Sequence, residues 1–483
     1  MAPLMSKDTR KVYARRIKGF WDEFSHNRIG FFGLALLSVY VVMAIFAPWL
    51  TPYDPLASTR VAESYAAPAW LKVFPQYANK PDTMEVVPKW TLTQAAGFED
   101  KISAGKTVAG TIEMTRDAKT VDIEFTSSFN YPYLDSPQRY IAKFQWSVSN
   151  ITNLYWAAEL LITPPSGNTT RIWYQTNTKT PLSLGVEQDS YNYWLLQKEI
   201  GDPRATNLAQ QIFSNPVSGD YHFTFHAVFV PDPPDSENTK AAFEFRNFMF
   251  FIPGLVHGIL GADFLGTDVL SQVIYGSRIS LAIGLMAAAI SVSIGVLVGI
   301  VSGYLGGAVD EITMRIVDIL LCLPFLPLLL TLVRLFGKNV FYIVLFIALF
   351  GWLGLARVVR SQILYLRETT FVECAVASGA SKQYVMLKHL LPNIVPVALA
   401  SLVLSVPGAV LTEAGLSFLG FGDPRVPTWG KMLNYAFGHG AFENFAWWWA
   451  LPPGLAITFL SLSFVFMGFA IDEIVNPRLR RRR

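Results

Sequence analysis

Charge is scarce in this chain. Of 483 residues only 16% are Asp, Glu, Lys or Arg, against 52% hydrophobic. With a mean hydropathy of +0.34, that balance excludes an ordinary soluble enzyme and leaves an integral membrane protein. Cysteine is nearly absent: Cys322 and Cys374 are the two in the chain, so a disulfide framework is excluded and any outer domain must hold together by its core. No phosphate loop of the form Gly-x-x-x-x-Gly-Lys-Ser/Thr occurs. Gly-Lys pairs begin at Gly105, Gly337 and Gly430, and none follows a glycine at the required spacing. The chain is therefore expected to be a non-catalytic subunit with no cofactor of its own, and no nucleic-acid partner is expected. No Ser/His/Asp or paired-carboxylate constellation stands out either.

What charge there is lies unevenly. From Thr51 to Leu265 there are 16 Lys and Arg against 22 Asp and Glu, a net of −6, which leaves +9 on the remainder. Two environments share one chain. Apolar runs of about 20 residues, the length that crosses a bilayer core, fall near Ile29 to Leu50, Ile279 to Tyr304, Ile312 to Phe336, Val340 to Val359, Ile394 to Leu416 and Trp447 to Ile471. Lys7, Arg10, Lys11, Arg15, Arg16, Lys18 and Arg28 precede the first run, and Arg478 and Arg480 to Arg483 follow the last. The positive-inside rule then places both termini in the cytoplasm, which six spans allow. The first run is too long for a signal peptide and lacks a cleavage site, so it is expected to remain as a helix.

Within the spans, Glu413 is expected at an outer gate or subunit contact, and Arg315 and Asp318, one turn apart, as a structural pair. Pro324 and Pro327 are expected to kink the third span. Gly284, Gly295, Gly299, Gly303 and Gly306 are expected to let spans approach closely.

The acidic middle region, 51–265, changes character. In Tyr221 to Val230, YHFTFHAVFV, Phe223, Phe225, Ala227 and Phe229 share one face of a strand. Similar runs occur at TVDIEF, YIAKFQWSVS, LYWAAELLI and TRIWYQT. Turn signals separate them, at Pro164 to Gly167 and Asn215 to Asp220. This pattern predicts an all-β, sandwich-like domain outside the membrane, large enough to bury its own core. His222 and His226 share a face, but with no third ligand nearby a solvated face is the better reading than a metal pair. Trp146, Tyr155, Trp156, Trp173, Tyr174, Tyr191, Tyr193 and Trp194 suit a core or interface better than a sugar-stacking site. Asn150 and Asn168 begin N-glycosylation sequons, which matter only where such sites are modified.

The most informative stretch is polar and lies between two apolar runs: Glu373 to Pro392, ECAVASGASKQYVMLKHLLP. Ala375, Ala377, Ser378, Gly379 and Ala380 give a low-profile face that another protein can approach, Gly379 permits a turn, and Pro392 suits the start of a helix. Glu373, Cys374, Ala375, Gly379, His389, Leu391 and Pro392 stand in the register of the cytoplasmic coupling loop of ABC importer permeases, which the segment resembles; only Cys374 departs, where Ala is usual. Further segments narrow the resemblance to the C-type permease of dipeptide, oligopeptide and nickel importers: Leu265 to Gly284, Trp352 to Phe371, Leu416 to Gly420, Asn476 to Leu479, and the exit from the first span at Ala47 to Pro55. Where that family usually has G-R-D-V-L-S-R, this chain has Thr267 and Gln272 in place of the two basic residues.

The resemblance implies six transmembrane helices of the type I ABC importer permease fold. It also implies a B-type permease partner, two ABC ATPase subunits that use ATP and Mg, an external solute-binding protein, and contact of the chain itself with membrane lipid. The organisation expected is a basic cytoplasmic N-terminus at 1–28, the first span at 29–50, the outer domain at 51–265 and an interfacial helix at 266–278. The permease core follows at 279–471, with its coupling loop at about 360–392, and then a basic cytoplasmic tail at 472–483. The function implied is import of dipeptides or oligopeptides, with nickel and oligosaccharides also carried by close relatives. Two other readings stay open: an ion-coupled secondary transporter with Glu413 as coupling residue, and a membrane-anchored outer enzyme or carbohydrate-binding module.

Overall fold

A computed structural model describes residues 19, 21–57, 59–96, 102–103, 105–113, 120–177, 180–191, 208–232 and 239–475. The basic termini, from Lys7 to Lys18 and from Arg478 to Arg483, lie outside them, as do Tyr193 and Trp194. The chain divides into two compact units, Thr59–Asp268 and Met1–Ser58 with Val269–Arg483.

The second of these is helical. Its elements are α1 (Arg28–Leu50), α2 (Val269–Leu305), α3 (Gly307–Cys322), α4 (Phe325–Phe336), α5 (Val340–Gly351), α6 (Leu353–Leu366), α7 (Thr370–Ala377), α8 (Lys382–Val385), α9 (Leu391–Phe418), α10 (Trp429–Gly438) and α11 (Trp447–Val475). Asn27 opens α1 by accepting the Gly30 amide at 3.0 Å, one of the donors a helix start leaves unpaired. Small residues then let helices meet backbone to backbone. A Cβ on Gly33 would fall 2.8 Å from the Ser463 carbonyl of α11. On α2, Gly295, Gly299 and Gly303 form a stripe against the Trp352 to Ile363 stretch, where added Cβ atoms would fall 3.0, 2.7 and 2.9 Å from Trp352 O, Val359 Cβ and Ile363 Cβ. Gly306 is different: with φ of +65° it breaks the chain direction between α2 and α3. Ile283, Ala287, Leu329, Val333, Ile343, Ile347 and Leu416 close the core, while Ile29, Phe32, Val42, Ile45 and Trp49 of α1 stay exposed, as lipid-facing side chains do.

Among the described residues, five helical stretches are long and apolar enough to cross a membrane; α3 and α4 make a sixth if taken together, bent by 89°. Several expectations change here. Residues 266–278 do not form a separate interfacial helix: Val269, Leu270, Val273 and Ile274 are the first turns of α2, which runs unbroken to Leu305. Gly276 does not interrupt it, because its bare face is what lets Trp429 approach, to 2.7 Å from an added Cβ. The third span is broken rather than kinked, since Leu323 turns extended (ψ 140°) before Pro324, as the residue preceding a proline prefers. The fourth runs past Val359 to Leu366 with a break at Trp352. Asp318 pairs with Arg357 of α6 rather than with Arg315, and Asp310 with Arg360 at 2.5 Å. Neighbouring helices, not the same helix, supply the partners.

The inserted unit is a pair of antiparallel sheets. One has the order β3 (Ile102–Ser103), β4 (Val108–Glu113), β11 (Lys240–Ile252), β6 (Ile141–Thr152), β9 (Leu182–Asp189), with β1 (Met84–Val86) also on β11. The other has the order β2 (Thr91–Ala96), β5 (Val121–Tyr131), β10 (Gly219–Pro231), β7 (Leu154–Thr163), β8 (Thr170–Asn177). Alternation buries Phe223, Phe225, Ala227 and Phe229 of β10 on one face. They meet the inner face of the first sheet: the Phe225 ring lies tilted 4.3 Å from Phe245 and 5.0 Å from Trp146, and Phe223 lies 5.0 Å from Phe250. Trp146, Trp156 and Trp173 are all in this core, whereas Tyr155 and Tyr191 are exposed.

On the outer face His222 is exposed, but His226 is not merely solvated. It lies between Asp122 of β5 (2.5 Å) and Glu159 of β7 (3.2 Å). Burial pushes its pKa down, yet the hydrogen bonds and charges of the two carboxylates outweigh this and raise it above the usual 6.5.

Candidate functional site

The segment singled out in the sequence forms a helical hairpin at one end of the helical unit. Its first arm, α7, ends in a Schellman motif: the Gly379 amide donates to Val376 O (2.9 Å) and the Ala380 amide to Ala375 O (3.0 Å). Gly379 has a φ of +83°, which a residue with a Cβ resists, and nothing lies within 4 Å of where that Cβ would stand. The turn thus needs glycine for its backbone while its outer side stays open. Ser381 caps the second arm by accepting the Tyr384 amide at 3.3 Å.

That arm does not end at Pro392. It continues from α8 through a π-helical turn, Met386–Leu390, into α9. A proline within a helix clashes with the carbonyl four residues earlier, and the widened turn just before Pro392 gives the ring room. The hairpin is fixed by its inner side. Val372, Val385 and Leu390 are buried with Val359 and Ile363 of α6 and Val296 and Ile300 of α2, and Ala375, Ala380 and Leu391 pack against that cluster.

Between the arms runs an open groove of about 580 Å³ lined by Phe371, Cys374, Ala375, Ser378, Gly379, Ala380, Ser381, Tyr384 and His389. His389 meets Tyr384 edge-on at 5.7 Å and lies 6.3 Å from Phe371. Small residues form the floor and three rings one wall. The expected residues thus divide. Cys374, Ala375, Gly379, Ala380 and His389 line the groove; Glu373 and Pro392 are exposed outside it, and Leu391 packs inward. Phe371 and Tyr384 as groove walls escaped the sequence reading, although Tyr384 stands on the face of its arm that His389 shares. The groove can take a protruding element of another protein; it brings together no catalytic set.

Glu413 lies elsewhere, on α9, and is 1% exposed. Its carboxylate accepts Ser417 Oγ at 2.6 Å and is hydrogen-bonded to the Thr428 side chain, while Oε2 lacks a partner among the described residues. Thr428 in turn caps α10 through the Lys431 amide. Glu413 therefore fastens the 419–428 connection onto α9. Nearby, Asp423 accepts the Val340 amide at 3.2 Å and both a backbone and a side-chain bond from Arg425. Burial pushes the Asp423 pKa up, but those bonds outweigh it and hold it below the usual carboxylate range.

Two family models match the sequence. Residues 295–481 match the binding-protein-dependent transport system inner membrane component, and residues 16–68 the N-terminal TM domain of oligopeptide transport permease C. The oligopeptide transport permease OppC of Haemophilus influenzae is 38% identical over 222 residues, 46% of this chain and 70% of that protein. The dipeptide transport permease DppC of Bacillus subtilis is 37% identical over 222 residues (46% and 69%), and OppC of Escherichia coli K12 39% over 221 (46% and 72%). Among solved structures, an inward-facing MetNI methionine ABC transporter chain aligns with 19% identity and a TM-score of 0.35, over 43% of this chain and 97% of that one.

Proposed function

Because this chain belongs to the family of binding-protein-dependent transport inner membrane components, in its oligopeptide and dipeptide permease branch, we propose that it forms half of a peptide translocation path and takes its drive through the 370–392 hairpin. It is a transport subunit of an ABC importer, not a catalyst. The other parts of the assembly in this reading are a homologous B-type permease, two ATPase subunits that bind ATP and Mg, and a solute-binding protein that delivers the peptide.

One observation carries the reading: the groove of Cys374, Gly379 and His389 is open on its outer side while its inner side is built into α2, α6 and α9. An element seated there pushes on three spans at once, and the path can switch between two arrangements whose balance ATP sets. In this topology the bent pair counts as one span, giving six. The hairpin, with Lys382 and Lys388, and both termini face the cytoplasm, and the inserted sheets stand outside as a dock or shield for the binding protein. Glu413 holds the outer connection in place rather than relaying ions.

The test is purification in mild detergent from the native membrane with mass spectrometry of what accompanies the chain, followed by reconstitution in proteoliposomes. Two ATPase polypeptides (or two copies of one), a second permease and ATP-dependent uptake of a dipeptide are expected. The chain alone, transporting on an ion gradient, would overturn the reading.

A further inference from the structure

The inserted unit carries an exposed apolar patch that its core does not use. A short helical turn, Ala69–Val73, presents Trp70, Val73 and, just after it, Phe74, with exposures of 49%, 86% and 50%; beside them Ile259 is 62% exposed. The patch is built rather than incidental. The Trp70 indole donates to Ile259 O at 2.9 Å, and the Ala69 amide donates to Gly258 O at 2.9 Å, so the two segments are locked together. Leu71, between the exposed residues, is buried and anchors the turn. The one charge in the turn, Lys72, is drawn to Asp82 at 2.5 Å and over the Tyr133 ring. What is left outward is aromatic and aliphatic, with its one indole N–H already satisfied.

Along the chain the patch lies close to the start of α2. Ala262 bridges Asp268, and Ile259 is three residues before Ala262, so the patch begins within roughly 15 Å of Asp268 at about 3.5 Å per residue. The next residue, Val269, starts α2. In the first turn of α2, Ser271 is hydrogen-bonded to Thr51, the residue that ends α1. With 23 residues α1 is about 34 Å long, close to the thickness of a hydrocarbon core. Thr51 and Ser271 thus stand where a helix of that length leaves a hydrocarbon core, and Trp49 beside Thr51 is itself exposed, as aromatic residues at that level commonly are.

We infer that Trp70, Val73, Phe74 and Ile259 form a membrane foot, the surface by which the inserted unit rests in the headgroup and upper acyl region of the bilayer. The inference depends on α1 being a span and not on what is transported.

The test uses the full chain in nanodiscs, with Cys322→Ser and Cys374→Ala and a single new cysteine carrying an environment-sensitive fluorophore. At Val73→Cys the label is expected to be quenched by lipids bearing a shallow acyl nitroxide and shielded from iodide. At Val230→Cys, exposed at the opposite end of β10 from Gly219, which pairs with Tyr131 beside the Tyr133 contact of the turn, the reverse is expected. A Val73 label as open to iodide as the Val230 label, and untouched by nitroxide lipid, would overturn the inference. Shielding that develops only when the binding protein is added would overturn it too, in favour of a protein dock. A label at Val42→Cys in α1 reports on the span separately: if nitroxide lipid quenches it while Val73 stays aqueous, the foot fails and the span stands.

Discussion

In the inserted unit large rings fill a closed core, whereas in the helical unit the tightest contacts are made where side chains are missing. Phe225 sits 4.3 Å from Phe245 across two sheets; Gly299 lets Val359 come so near that an added Cβ would fall 2.7 Å from it. The difference follows from the solvent. Burying aromatic surface from water stabilises a sandwich, but a leucine leaving lipid for a helix contact gains little, and close van der Waals approach is what remains. The same contrast appears in the polar groups. The sheets carry ion pairs such as His226 with Asp122 and Glu159 on an outer face, while α9 hides Glu413 and spends its carboxylate on fastening a connection.

The largest effect that would sharpen this contrast is Phe225→Ala. It should lower the stability of the inserted unit by about 3–5 kcal/mol, seen as early loss of near-ultraviolet circular dichroism and faster proteolysis there. Recovery of ATPase subunits with the chain should not change, and if it fell in parallel the two units would not be independent. Next comes Gly299→Leu, which forces volume into the α2–α6 contact and should cost about 1–3 kcal/mol or more, read as a lower thermal midpoint of the detergent-solubilised chain. Glu413→Ala strips Ser417 and Thr428 of a buried acceptor and should cost about 1–3 kcal/mol; Glu413→Gln should recover most of that loss. Full uptake with Glu413→Gln would also speak against an ion-coupling role.

The smallest effect concerns pH and belongs to the sheets. The folded-state pKa of His226 is raised, so its contribution is present below the ordinary value of 6.5 and is lost as pH rises through the higher folded value. The size should be at most about 1 kcal/mol for a pair this exposed. His226→Gln should flatten that part of the stability–pH curve, and an unchanged slope would remove the carboxylate clamp from the account.

Sequence patterns revealed these regions unequally. The β10 run announced itself because Phe223, Phe225, Ala227 and Phe229 keep strict alternation. Its neighbour β11 did not, since Ala241, Phe243 and Phe245 face inward but the phase then slips at Asn247, with φ of +56°, and continues on Phe248, Phe250 and Ile252. A bulge of that kind erases period two. Among the helices, apolar length marked where chain could cross a membrane. It could not show that Leu323 turns extended before Pro324, nor that Gly276 serves a contact with Trp429 rather than a helix end. At the groove, spacing identified the turn at Gly379 and the residues around it. The walls of Phe371 and Tyr384 depend on how two arms fold toward each other, which spacing alone does not contain.

In the proposed assembly the hairpin groove, and no part of the inserted unit, receives the ATPase. The most direct measurement is recovery of ATPase subunits with purified Gly379→Trp, beside Gly379→Ala. The Ala variant bears the strained turn but adds a methyl group into open space, so it should keep the complex at a cost of about 1 kcal/mol. The Trp variant carries the same strain and also fills the groove, so it should reach the membrane and fold yet lose the ATPase and with it ATP-dependent uptake. Equal recovery of the ATPase with wild type and Gly379→Trp would contradict the account.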